Sequence, residues 1–151
     1  MGCTRLTAMA FMDEFIERGD ARKSTKDIAL AKSLLNTADS DLRFVSSLEI
    51  TPDSARKITA NYYDVARSLV EAIAALNRLK IYKHEGFTAF LKGCGRNYLA
   101  ENFDRFRKIR NGIEYFGNNV SAEETRQNVE DMKELIAKLR KQLSEELEKS
   151  G

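Results

Sequence analysis

Apolar side chains recur along most of this chain at alternating steps of three and four, the period of an α-helix that buries one face. The clearest run is Ile58, Tyr62, Val65, Leu69, Ala72, Leu76 and Leu79. It predicts one helix of seven or more turns. Thr51 followed by Pro52 supplies its start: threonine is a good N-cap, and the missing N–H of proline costs nothing at the first helical position. Upstream, Ile28, Ala31, Leu35, Ala38, Leu42 and Val45 repeat the pattern behind a start bracketed by Ser24 and Asp27. Downstream, Ser121 and Glu124 form an S-x-x-E capping box ahead of Val129, Met132, Ile136, Leu139, Leu143 and Leu147. A shorter helix is expected from about Leu6 to Glu17, ending at Gly19.

The stretch between the long helices is less regular. Ile81–His84 reads as a turn, and Glu85–Leu91 as a short helix closed by Gly93 and Gly95. A further helix is expected from about Asn97 to Phe116, stopped by Gly117-Asn118-Asn119, residues that tolerate the left-handed conformation of a helix end. No segment alternates with β-branched enrichment, so no sheet is predicted. The expectation is an all-α, antiparallel up-and-down bundle of four to five helices in one domain spanning 1–151. In it, 1–23 form the N-terminal helix and linker, and 145–151 fray. Tyr62, Phe87, Phe90, Phe103 and Phe106 stand at helical spacing and read as core rather than as a base-stacking platform.

Composition agrees with a packed domain. The 151 residues are 42% hydrophobic and 32% charged, which excludes a disordered or membrane-embedded chain. No apolar run approaches the roughly 20 residues of a membrane span. Met1–Glu14 does not read as a secretory leader, and Leu6 stands where a myristoylation signal has Ser or Thr. Two cysteines, Cys3 and Cys94, are too few for a disulfide framework, and with His84 as the one histidine they make no zinc site. The reading is a cytoplasmic protein with no metal and no cofactor.

Charge changes the picture more. The net charge is only +2, yet Arg78–Arg110 carries nine basic residues against three acidic ones. Such asymmetry suits an anionic partner for that segment, although a solvated helix face would look the same. Within it, the stripe Leu99, Phe103, Phe106 reaches Arg110 before Ile113, so an arginine occupies a slot where a hydrophobe is due. A guanidinium there must pair, reach solvent or line a cleft; otherwise Ile109 takes the core slot while the Arg110 stem snorkels. Arg110 shares a helix face with Glu114, and Asn111 shares one with Tyr115.

At Arg110-Asn111-Gly112-Ile113-Glu114-Tyr115-Phe116-Gly117 the sequence resembles the signature of HEPN domains, compact helical bundles whose motif is an arginine, commonly followed by Asn, with a histidine five to seven residues later. Phe106-Arg107-Lys108-Ile109 and the segment Ile81–Leu91 add to the likeness, which follows helix order from Ser24 onward. The resemblance implies a homodimer with facing motifs and metal-independent ribonuclease chemistry of toxin–antitoxin type. It places Arg110, Asn111, Glu114 and Tyr115 at the catalytic site and Arg96, Arg105, Arg107 and Lys108 along bound RNA or nucleotide. Arginine suits a developing phosphoryl charge through its forked donors, and histidine suits proton transfer near neutrality.

The sequence departs from the family pattern at one point. Tyr115 stands five residues after Arg110, and no histidine falls within the family window. Tyrosine titrates near 10 and is a poor base at neutral pH. Glu114 is one substitute. His84, arriving from elsewhere in the fold, is another, against the plainer reading of a helix-start residue in a turn. Three functions follow as expectations: an RNA-cleaving or formerly RNA-cleaving protein; a non-catalytic module beside a small nucleotidyltransferase or another protein; and a bare dimerising bundle in which Arg110 pairs with Glu114.

Overall fold

The computed structural model describes residues 5–150, with side chains from Ala8 onward. Met1, Gly2, Cys3 and Gly151, which carry the myristoylation reading, one cysteine and the chain end, lie outside the described residues. The element order is α1 (Arg5–Glu17), β1 (Ala21–Lys23), α2 (Ile28–Ser46), α3 (Ala55–Leu76), β2 (Leu79–Ile81), α4 (His84–Gly93), α5 (Asn97–Phe116) and α6 (Ala122–Ser150). The chain is an all-α helical bundle, with six helices among the described residues rather than four to five.

Local signals explain most boundaries. The α2 start belongs to Asp27 rather than Ser24: Oδ1 of Asp27 accepts from the Leu30 N–H at 2.9 Å, while the Ser24 hydroxyl donates to the Thr25 carbonyl. Ahead of α3, the Ser54 N–H donates to Oγ1 of Thr51 at 3.1 Å and the Thr51 N–H donates to Oγ of Ser54 at 2.9 Å. This reciprocal cap encloses Pro52, so the turn predicted from Thr51 exists and regular helix follows at Ala55. The α5 helix closes on Gly117, whose φ of +63° is left-handed. Oγ of Ser121 caps α6 by accepting from the Glu124 N–H at 3.0 Å.

Direction follows from the cross-links. Helices α2, α3, α5 and α6 run alternately down and up, with α3 and α6 packed in parallel through the middle. Oγ1 of Thr59 lies 3.4 Å from Oγ1 of Thr125 near their starts, and Asn77 donates to Glu146 at 2.9 Å near their ends. Beside the second bond, Gln142 donates to the other Glu146 oxygen at 3.0 Å, and α6 extends to Ser150. Helix α3 is buried nearly all round, with Tyr62, Tyr63, Leu69, Val70 and Ile73 each at most 2% exposed. The five aromatic residues assigned to the core are all buried.

Two findings correct the sequence reading. The linker after α1 and the turn at Ile81 contain short strands, and β1 pairs antiparallel with β2 in the register Ala21↔Ile81, Arg22↔Lys80, Lys23↔Leu79. Three-residue strands are too short to show alternation. This pair exists because α3 delivers Leu79 beside the end of α1, burying Ala21, Leu79 and Ile81. Cys94, for its part, is disulfide-bonded, which the cysteine count had not suggested. Helix α4 lies antiparallel to α1, with Gly93 against Ala8 and Gly86 against Met12 and Phe15. Positions remote in sequence thus become neighbours. No described helix is long and apolar enough to cross a membrane.

Candidate functional site

The site is assembled by three helices. Central α3 supplies Tyr63, Asp64 and Arg67; the first residue of α4 is His84; α5 supplies Phe103, Arg107 and Arg110. The phenolic oxygen of Tyr63 lies 2.8 Å from Nδ1 of His84, with the two rings stacked at 5.8 Å between centroids. Phe103 tilts against Tyr63 at 5.3 Å, and Phe87 meets the edge of His84 at 5.9 Å. These apolar walls hold the imidazole in place. His84 is therefore both a helix-start residue and part of a cluster, two readings that the sequence had set against each other.

Arg110 completes it. Its guanidinium carbon stands 5.8 Å from the centre of the Tyr63 ring, and its Nε is buried with no hydrogen-bond partner. Arg67 is tied to Glu71 at 2.7 Å and Arg107 to Asp104 at 2.8 Å. Among the described residues Arg110 has no carboxylate within ion-pairing distance; the pairing with Glu114 that helical spacing allowed does not form. A buried donor without an acceptor is costly, and an anion placed beside it would remove that cost.

Electrostatics follow the same geometry. Burial lowers the His84 pKa, and the charges of Arg110, Arg67 and Arg107 lower it further, so the ring is neutral at neutral pH. Burial raises the Tyr63 pKa against the opposing pull of the same three arginines, so the phenol keeps its proton. Burial likewise raises Asp64, with Glu114 and Asp41 adding to the rise while Arg67 and Arg110 oppose it. For Asp104, burial is outweighed by hydrogen bonds from Arg107, Lys108 and Thr88, and its carboxyl titrates below the ordinary range. The result is a neutral histidine and a protonated phenol surrounded by three guanidinium groups.

The other residues singled out in the sequence are scattered. Asn111 is half-buried and Glu114 exposed one turn beyond Arg110. Tyr115 is 72% exposed and makes no ring contact or hydrogen bond among the described residues. Arg105 reaches across to α6, donating to Asp131 at 3.0 Å while lying over the Phe106 ring. Arg107 and Lys108 share Asp104, and Arg96 is half-buried at the N-cap of α5. Of the eight positions, Arg110 and Arg107 act on the histidine through their charge.

Tyr63, Asp64 and Arg67 escaped the sequence reading. The apolar stripe ran through Tyr62 and did not include Tyr63. The available signal was the all-round apolar character of α3, with Ala60, Ala66, Val70 and Ala74 off the stripe, which marks a central helix whose neighbours cover every face. No three His, Cys, Asp or Glu side chains among the described residues are grouped to hold a metal ion. No protein-family model, curated protein or solved structure matches the chain.

Proposed function

We propose that this chain is a HEPN-like protein that binds RNA or a nucleotide at the Tyr63–His84–Arg110 cluster, and that His84 takes the place of the histidine absent after Arg110. The observation that carries this reading is the buried, unpartnered Nε of Arg110 beside a neutral imidazole held by Tyr63. Phosphate oxygens would supply acceptors for Arg110, and the tilt of three positive charges favours an anion.

The same groups suit metal-independent phosphodiester cleavage. The 2′-hydroxyl of a ribose attacks its adjacent phosphorus, the bond to the 5′-oxygen breaks, and a 2′,3′-cyclic phosphate and a 5′-hydroxyl result. When Nδ1–H of His84 donates to the phenolic oxygen, Nε2 keeps its lone pair and accepts the 2′-hydroxyl proton. Arg110 balances the charge developing on the phosphoryl oxygens. The departing 5′-oxygen takes its proton from solvent. With a histidine that is depressed in pKa and no second imidazole in the same chain, cleavage by one protomer is slow relative to a two-histidine site. In this reading the chain forms a homodimer and acts as a toxin–antitoxin ribonuclease with altered catalysis.

A second reading is favoured by the end of α5, where Tyr115 and Phe116 are 72% and 79% exposed. An exposed aromatic pair fits a protein contact, as in a non-catalytic module that partners a small nucleotidyltransferase. The deciding experiment measures RNA binding and cleavage in EDTA by the wild type, Arg110→Ala, His84→Ala and Tyr115→His. Loss of cleavage in both alanine variants supports the ribonuclease reading. Binding without cleavage, unaffected by His84→Ala, supports the module. Neither binding nor cleavage by the wild type refutes the site.

A further inference from the structure

The two-stranded sheet carries an unusual arrangement of charge. In the antiparallel register Arg22 stands directly opposite Lys80, so two like charges share the outer face of the sheet. Such a pair is unfavourable in a free sheet. Lys23, Lys26, Arg78 and Lys83 are exposed around it. Over 18–27 and 78–85 together there are seven basic residues against three acidic ones, a net of +4 where the whole chain has +2. The three carboxylates do little to neutralise it. Asp20 is held by Arg18 at 3.2 Å, Asp27 caps α2 through the Leu30 N–H, and Glu85 lies in the first turn of α4.

The concavity is of useful size. Arg22, Lys23, Ser24, Thr25, Asp27 and Lys80 line an open hollow of about 440 Å³. Tyr82, 58% exposed, accepts a hydrogen bond from Nε of Arg22, which holds its ring beside the cations. Lys83 and then His84 follow β2 directly in sequence, so the patch adjoins the start of α4.

We infer that the outer face of the β1–β2 sheet, with Arg22, Lys23, Lys80 and Lys83 as cations and Tyr82 as a stacking ring, binds the backbone of single-stranded RNA leading to His84. This rests on the proposed function for its direction, but its own grounds are the like-charge register and the hollow. Cations spaced along a groove follow a phosphate chain without reading sequence, and an exposed aromatic ring accepts any base. Single strands fit better than duplex because the ring needs an unpaired base to stack against.

The test measures binding of a fluorescein-labelled single-stranded 12-mer RNA, its duplex and a mononucleotide to the full chain across a salt series. The proteins are the wild type, Lys23→Ala/Lys80→Ala, Tyr82→Ala and Arg110→Ala. Removing two phosphate contacts should weaken the 12-mer at least tenfold and flatten its log-affinity against log-salt slope by about 1.4. Mononucleotide binding should stay unchanged in that variant, and its melting temperature should not fall, because a repulsive pair has been removed. Tyr82→Ala should weaken the single strand more than the duplex. Arg110→Ala should weaken mononucleotide and 12-mer alike. Wild-type affinity for the 12-mer in Lys23→Ala/Lys80→Ala overturns the track, as does a 12-mer bound no more tightly than a mononucleotide; both leave the His84 site standing. If the wild type binds neither ligand, both readings fall.

Discussion

The phenolic oxygen of Tyr63 and Nδ1 of His84 lie 2.8 Å apart, joining the middle of α3 to the first residue of α4. Neither group has an ionised partner in this bond, because burial raises the tyrosine and lowers the histidine. Each neutral group therefore depends on the other for its hydrogen bond. Tyr63→Phe should cost about 1 kcal/mol of stability, the ordinary worth of such a bond, measured by urea unfolding. A variant as stable as the wild type would show that the bond contributes nothing net.

His84 is the sole histidine, so its ring resonances can be followed through a pH titration without assignment. The expected pKa lies below the ordinary 6.5, and Arg110→Ala should move it upward by removing the largest charge acting on it. Because the folded value lies below the unfolded one, the stability this group contributes is present above about pH 6.5 and is lost as pH falls toward the folded value. His84→Gln should abolish that part of the pH dependence. Added phosphate should raise the histidine pKa if the anion sits among the arginines.

Asp64 has the opposite sign. Its folded pKa is raised by burial, so the ionised carboxylate weakens the fold at neutral pH, and the penalty fades as the group protonates in acid. Asp64→Asn should therefore raise the melting temperature at pH 7 and show no gain near pH 3. An unchanged melting temperature at pH 7 would mean that Arg67 and Arg110 offset the burial.

Asp39 and Arg140 join α2 to α6 by two parallel hydrogen bonds, Nε to Oδ1 at 2.8 Å and Nη2 to Oδ2 at 2.9 Å. The Arg140 hydrogen bond lowers the Asp39 pKa, so its contribution is present above about pH 3.9 and is lost as pH falls through the folded value. The pair is partly exposed. Arg140→Ala should cost about 0.5–1 kcal/mol at pH 7, less in high salt, and nothing in strong acid. Equal losses at pH 7 and pH 2 would point to lost packing of the arginine stem instead.

Gly93 brings α4 against α1. A Cβ there would stand 2.8 Å from the Cα of Ala8, a backbone atom that cannot move aside alone. Gly93→Ala gains about 1 kcal/mol in helix propensity but forces the helices apart, and the net expectation is a loss of about 1–2 kcal/mol. A variant that melts higher than the wild type would show that the α1–α4 contact yields easily.

The long helices were legible in the chain because their information is local. A stripe such as Ile58 to Leu76, or the capping pair Ser121 and Glu124, acts within one or two turns. The span of α5 from Asn97 to Phe116 was readable for the same reason. Arg110 was also visible, as a charge in an apolar register. Its partners were not. Tyr63 and His84 are 21 residues apart in the chain, and only the packing of α3, α4 and α5 around one core brings them within hydrogen-bonding distance. The small sheet was hidden likewise, since it depends on where α3 delivers Leu79. Sequence by itself determined which faces must be buried; only the tertiary structure decided which side chains those faces bring together, because burial is a property of each residue and proximity is a property of the fold.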